Sequence, residues 1–483
     1  MMRLAPLFVA ALLAVPARAD DAAPWKAGAA RVKITPDKLM WMSGYASRTK
    51  PAEGTLLDLW AKALVLEDPD GRRVALVTMD LVGIPRDLSL AVRDDITRKY
   101  KLPRECVCLS VSHTHSGPVV GHNLSAMYFL DDAQQKLVDD YAKSLHEKLV
   151  SVVGSAISNL APADLARGNG HVTFAVNRRN NKEADVPKLR DLGRLKGPVD
   201  HDVPVLSIRD KAGRVKAVVF GYACHATVLP FYQWCGDYPG FAQAALEKSH
   251  PDAVALFWAG CGADQNPLPR RQVELAEKYG QELVHGVESV LAEPMTPIHG
   301  KLSAAYTEVA LPFADLPTRD KLVEDSTSKD RYVAARAKHL LRQIKDKGSL
   351  AGTYPYPVQA WQLGSDLTFV ALGGEVVVDY GLRLKKELGR DDTWVAGYTN
   401  DVMAYIPSLR VLKEGGYEGG GAMVYYGLPT VWGPKVEEVI VAAVHEQVKK
   451  GVRPANRVLD GRGVIPAKGG HHHGPRPSAG RAE

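Results

Sequence analysis

The sequence predicts an α/β protein of mixed β-sheets flanked by helices, on three observations. Short apolar runs of strand length alternate with longer segments of helical spacing along most of the chain. Polar and glycine-rich turns fall directly after five of the apolar runs, where open α/β sheets gather their ligand sites. No internal repeat and no break in composition divides residues 25–450, so one continuous domain is expected there.

In chain order, residues 73–81 (RVALVTMDL) form an apolar run of strand length, and residues 87–100 follow with helical spacing. Residues 106–112 are a second buried strand and 133–153 a second helix. Strands are expected at 203–209 and 215–223, a helix at 240–249, a strand at 253–258 and a long helix at 272–291. Residues 331–345 read as a charged, amphipathic surface helix. A strand at 367–372, a helix at 376–388, a strand at 393–397 and a helix at 435–450 complete the pattern. Buried strands alternating with helices imply a parallel or mixed sheet covered on its faces.

The two ends read differently. Arg3, the apolar stretch 4–15 and the small-x-small triplet Ala17-Arg18-Ala19 have the layout of a secretory signal peptide over residues 1–19. That stretch is shorter than a membrane span, so an exported protein without a transmembrane segment is expected. Residues 451–483 are Gly, Pro and basic residues without periodicity, expected as a disordered basic tail. Six Lys/Arg against Asp460 and Glu483 place most of the formal net charge of +6 in that tail. The body is near neutral, which gives nucleic-acid binding little electrostatic support. The tail leaves peripheral contact with anionic lipid open, although a solvated tail is the simpler reading; its run His471-His472-His473 could bind metal weakly, but it too reads more simply as a solvated stretch. Five cysteines, Cys106, Cys108, Cys224, Cys235 and Cys261, leave at least one without an intramolecular partner. Cys106 and Cys108 share one face of a strand and are expected as core thiols. Cys235 has two readings, a core thiol or a bridge to another loop cysteine.

The residues that carry chemistry sit at strand ends. SHTHSGP (112–118) holds His113 and His115, ACHAT (223–227) holds His225, and AGCGADQNP spans 259–267. GGE (373–375) ends in Glu375, and GYTNDVMAY (397–405) ends in Tyr405. Zn²⁺ takes imidazole nitrogens and carboxylate oxygens, and a catalytic site keeps one position open for water. His113, His225 and Glu375 supply two nitrogens and one oxygen from three strand ends. In an extended segment His113 and His115, one residue apart, face the same side. Residue chemistry alone leaves the pair as a metal site, a proton relay or a polar strand end, and it reaches no further than a metallohydrolase.

Together with NRR (177–179), GDYPG (236–240), the D-x-N-P turn (264–267), N-x-x-x-x-Y (400–405) and EGGYE (414–418), these motifs resemble the neutral ceramidases. The closer resemblance is to bacterial proteins carrying only the N-terminal ceramidase-like catalytic domain, and it runs from about residue 31 to about residue 448. It implies one Zn²⁺ held by His113, His225, Glu375 and Tyr405, and hydrolysis of the linear amide of an N-acylsphingosine or another N-acyl compound. His115 would stand beside the metal water and move protons. Arg178 would contact substrate near the scissile bond, and Tyr417 would stabilise the oxyanion. On the residues alone, Arg178 is also readable as a surface or sheet-edge ion pair and Tyr417 as a packed loop tyrosine. Asp237 and Asp264 read either as partners orienting a histidine or as turn and cap residues.

The sequence departs from that family in three places. Asn266 stands where the family's G-D-x-S-P turn has serine, which removes an acyl-enzyme route there and leaves direct attack by water. Val402 stands where an additional tyrosine often occurs. Ceramidases proper continue into a C-terminal immunoglobulin-like domain, whereas the basic tail here leads us to expect none. Beside amide hydrolysis stand two other functions, a non-catalytic metal- or ligand-binding protein on the same fold and a zinc esterase. The substrate and the oligomeric state stay open.

Overall fold

Strand β1 (Lys26–Lys33) pairs antiparallel with β2 (Trp60–Glu67), and β2 pairs antiparallel with β3 (Arg73–Met79). Helix α1 (Arg86–Tyr100) then crosses over to β4 (Val107–Val111), which lies parallel to β3, and α2 (Asp132–Ser158) follows. The computed structural model describes residues 25–452. The expected signal peptide and the tail from residue 453 onward, with His471 to His473, lie outside the described residues.

The same arrangement occurs twice more. β5 (Asp164–His171), β6 (Asp202–Arg209) and β7 (Val215–Tyr222) form an antiparallel meander. Helix α3 (Asp237–Ser249) leads to β8 (Val254–Ala259), parallel to β7, and α4 (Val273–Ala292) follows. In the third unit β9 (Leu302–Pro312) is separated by α5 (Arg331–Lys347) from β10 (Thr353–Leu363), which pairs with β11 (Leu367–Leu372). Helix α6 (Val378–Leu388) leads to the parallel β12 (Thr393–Ala396), and α7 (Val436–Val452) closes the unit. The three sheets therefore share the spatial order fourth, third, second, first strand. The sequence shows no repeat because the repetition lies in strand pairing, which different residues satisfy equally well.

Every element expected from the sequence forms, with ends displaced by a few residues. Strands β1, β2, β5, β9 and β10 were not expected. β5 (DLARGNGH) buries little beyond Leu165, and β9 is only half-buried along most of its length, so neither shows a strong apolar signal. β10 contains Pro355 and Pro357, which argue against a central strand. Its pairing with β11 begins at Val358, so both prolines fall in an overhang bonded only to β9, where a missing N–H is tolerated.

The three sheets face one another across a shared core of Leu64, Leu76, Leu206, Val219, Trp258, Phe369 and Trp394. Trp258 stacks on Trp394 at 6.1 Å and meets Phe369 edge-on at 5.6 Å. Gly221 is required there, because a Cβ would lie 2.3 Å from the Trp258 ring. Helices α2, α3 and α4 pack with the outer faces of the first two sheets, and α6 and α7 with the third. The sheets join along their parallel edges. The Asn400 N–H donates to the Leu109 carbonyl at 2.7 Å, and the Gly397 N–H donates to the Ala259 carbonyl at 3.0 Å. This brings the carboxyl ends of β4, β8 and β12 to one place.

All five cysteines are buried thiols, so the bridge considered for Cys235 is absent. Burial pushes the Cys106 and Cys108 thiols up to about 12, as expected of core sulfur. Among the described residues no helix is long and apolar enough to cross a membrane.

Candidate metal centre

His113 lies two residues beyond β4 with a left-handed φ of 59°, a conformation uncommon outside glycine and held here by its surroundings. Its Nδ1 donates to the Val82 carbonyl at 2.6 Å, just past β3. His225 lies three residues beyond β7, and its Nδ1 donates to the Gly262 carbonyl at 2.9 Å, beyond β8. Glu375 lies three residues beyond β11. Its backbone pairs in parallel register with Tyr405, which places carboxylate and phenol side by side. Four side chains from three sheets thus meet where the parallel edges meet.

Because Nδ1 of each histidine donates to a carbonyl, each Nε2 presents a lone pair. The Glu375 Oε2 atom lies 3.1 Å from His113 Nε2 and 3.1 Å from His225 Nε2, and Tyr405 Oη lies 3.3 Å from His225 Nε2. His113 Nε2, His225 Nε2 and Glu375 Oε2 are acceptors facing one another at these distances, nearly inaccessible to water, and require a shared cation or proton. Metal bonds of about 2.0–2.2 Å would set tetrahedral donors about 3.3–3.6 Å apart, close to the separations here. The donor set therefore fits a metal ion.

His115 belongs to the same cluster. Its Nε2 is 3.1 Å from His113 Nε2, and the three imidazoles offer ligand atoms within 4.8 Å of one another. Its Nδ1 is buried without a partner. Burial, followed by the two neighbouring histidines, holds His115 well below its usual value, and burial with the Arg178 charge brings His225 down to about 4. Burial would raise the Glu375 carboxyl, but His113 and His225 hold it well below its usual range. His115 and His225 are thereby held toward the neutral imidazole and Glu375 toward the carboxylate, the forms in which such groups bind a metal.

Arg178 stands beside this cluster rather than on the outer surface. Its guanidinium donates to Tyr405 Oη at 3.1 Å, to Asn266 Oδ1 at 3.2 Å and to Glu418 Oε1 at 2.7 Å. Asn266 is thus one of the acceptors that fix Arg178. Tyr417 is 44% exposed, with its ring 5.2 Å from that of Tyr405, and marks the rim of the site. An open groove of about 890 Å³ runs from Tyr417 and Arg178 across Asn266 to Arg270.

Sequence reasoning missed Tyr426, whose hydroxyl donates to Glu375 Oε1, and Tyr398, whose ring lies 4.5 Å from His113. It also missed Glu418, which binds both Arg178 and Arg179, although its place in EGGYE was a signal. Asp237 and Asp264 touch no histidine. Asp237 accepts the N–H groups of Leu229 and Tyr238, and Asp264 accepts those of Val378, at the start of α6, and of the Asn177 amide. The turn-and-cap reading holds for both.

Fold and donor set together define a three-sheet α/β protein with a buried histidine cluster able to bind a metal. The family model described as "Neutral/alkaline non-lysosomal ceramidase, N-terminal" matches residues 25–287, and the chain belongs to that family. That match contains His113, His115, Arg178 and His225 and ends before Glu375, Tyr405 and Tyr417. A neutral ceramidase of Pseudomonas aeruginosa is 29% identical over 226 residues, 45% of this chain and 32% of the relative. Neutral ceramidase 1 of Arabidopsis thaliana is 26% identical over 293 residues, 57% of this chain and 36% of the relative. The matched segments thus span about a third of these relatives. The crystal structure of neutral ceramidase from Pseudomonas aeruginosa superposes with a TM-score of 0.67 at 20% identity, covering 90% of this chain and 76% of that one, which establishes the shared fold.

Proposed function

We propose that the chain is an exported, zinc-dependent hydrolase that cleaves the linear amide of an N-acyl compound by metal-activated water. The observation that carries this reading is the buried meeting of His113 Nε2, His225 Nε2 and Glu375 Oε2, acceptors with no proton of their own to share, with Tyr405 Oη beside them. When bound, Zn²⁺ brings the pKa of a coordinated water to about 7 and polarises a carbonyl.

The protein's own residues supply the remainder. Burial and the Glu375 charge raise the Tyr405 phenol well above its usual value, and Arg178, anchored by Glu418 and Asn266, opposes them by holding its N–H against Tyr405 Oη. Tyr426 orients Glu375. His115 is neutral, faces the cluster through Nε2 and carries an unpartnered Nδ1, so it can take up a proton and return it to the leaving amine. Tyr417, whose ring meets that of Tyr405 at the rim, is assigned the stabilisation of the developing oxyanion through its O–H. The relatives named as ceramidases support an amide as the bond broken, and Asn266 supports water rather than a side-chain nucleophile.

Metal analysis of purified protein tests the site: one zinc per chain is expected, largely lost in His225→Ala and Glu375→Ala. A wild type without stoichiometric zinc would sink the assignment. Labelled N-acyl amides assayed against matched esters, with His115→Ala as control, test the reaction, and a protein that turns over only the esters is not an amidase.

A further inference from the structure

Helix α5 holds six Arg or Lys residues against a single acidic one, Asp346, in a chain whose formal net charge is +6. One of its faces packs Ala337, Leu340, Leu341 and Ile344 with Leu322 and Leu350. A second face turns toward residues 425–427: the Tyr332 ring lies 5.0 Å from that of Tyr425, and a Cβ on Gly427 would come within 3.3 Å of His339. The face that remains points outward, and it is cationic. At about 100° per residue, Arg331, Lys338, Arg342 and Lys345 fall within an arc of about 60°, in a row about 21 Å long. All four are exposed, and among the described residues none of them meets a carboxylate, whereas Arg336 reaches Asp325 at 3.9 Å. Lys338 and Arg342 are four residues apart and Arg342 and Lys345 three apart, so like charges repel along the row and weaken the helix. An external anionic surface relieves that repulsion.

The row ends at the mouth of the metal centre. Arg331 lies 3.7 Å over the ring of Phe129, an aromatic side chain that is 43% exposed. From Phe129, successive ring contacts run to Tyr332 at 5.8 Å, Tyr425 at 5.0 Å, Tyr417 at 6.4 Å and Tyr405 at 5.2 Å, the phenol beside the histidine cluster. The Tyr332 O–H donates to the Ala46 carbonyl at 2.8 Å, which ties the helix to the loop carrying Gly44.

We infer that α5 is a docking surface for an anionic lipid membrane. Arg331, Lys338, Arg342 and Lys345 lie against acidic headgroups, Phe129 enters the interface, and the aromatic series leads a lipid amide from the bilayer to the metal centre. An outward row of cations offers its charge to a plane of headgroups, and an exposed aromatic ring at its end suits lipid rather than a water-soluble polyanion. Docking is independent of the amide-hydrolase reading above, and only the delivery of substrate rests on it.

Sedimentation of the full chain with vesicles at low ionic strength tests the surface. Binding is expected to equal parts of phosphatidylglycerol and phosphatidylcholine, not to phosphatidylcholine alone, and it should weaken as salt is added. Each cation near an acidic bilayer strengthens binding about fivefold, so K338Q/R342Q/K345Q should bind about 100-fold more weakly, with an unfolding midpoint no lower than that of the wild type. That variant should keep its kcat/KM for dissolved N-octanoylethanolamine and lose it for N-oleoylethanolamine held in the acidic vesicles. A wild type that ignores acidic vesicles, or a variant that binds them as tightly as the wild type, overturns the inference. Retention on heparin without binding to vesicles also overturns it and makes the row a polyanion site. Because sedimentation is read without turnover, a chain that docks through this row but cleaves no amide retains the surface and rejects the amidase.

Discussion

The carboxyl of Asp401 provides a quantitative check on the packing beneath the metal centre. It is 3% exposed and accepts the Tyr354 O–H at 2.7 Å, while the Asp401 carbonyl receives the Gly374 N–H, one residue ahead of Glu375. Burial raises its pKa from 3.8 to about 7 against the opposing effects of the Tyr354 hydrogen bond and Arg86. The unfolded chain releases this proton near the ordinary aspartate value, and the folded chain keeps it until about pH 7. Between those limits the folded state binds the extra proton, so the stability is fully present below about pH 4 and is lost as pH rises through about 7. At about 1.4 kcal/mol per pH unit, the full loss is about 4 kcal/mol. Asp401→Asn keeps the shape and cannot ionise. Denaturant unfolding of both proteins from about pH 4 to about pH 8 should show the variant gaining on the wild type by up to about 1.4 kcal/mol per pH unit and levelling off near pH 7. Taking the difference cancels Asp237 and Asp264, which burial raises to about 6 in both proteins. A difference that stays constant across the range would refute the reasoning.

Three further outcomes are expected. Tyr426→Phe removes the O–H that orients Glu375 and should weaken zinc binding by about 10- to 100-fold in a chelator competition, with little change in fold. Gly44 has a φ of 99°, and a Cβ there would lie 2.6 Å from the His115 ring. Gly44→Ala should therefore displace His115 and lower kcat by up to about 100-fold while zinc content is retained. His115→Ala should keep its zinc and lose about 100- to 10,000-fold in kcat. Loss of the metal in that variant would instead make His115 a ligand.

How much was legible in the sequence follows from which interactions are local. The apolar runs at 107–111, 215–222 and 367–372 are recognisable as strands because side-chain burial there depends on neighbours in sequence, and the turns after them stood out by composition. His113, His225, Glu375 and Tyr405 could be named from their motifs, and the structure brings them together. Strands with little apolar signal, such as β5 and the proline-bearing β10, were invisible because pairing with a neighbouring strand, not their own composition, holds them.

Other features exist only in three dimensions. The threefold repetition of sheet topology is a pattern of hydrogen bonds, and hydrogen bonds between backbones leave little trace in side-chain identity. The tautomers of His113 and His225 depend on the carbonyls of Val82 and Gly262, groups that every residue possesses. No motif singles out Arg48, and only folding strips it of water without giving it a carboxylate. By itself the sequence determined which atoms were available as ligands and where the strands end. The tertiary structure decided that those ends meet, which lone pairs face one another and which charge was left without a partner, because each of these depends on chain segments more than a hundred residues apart.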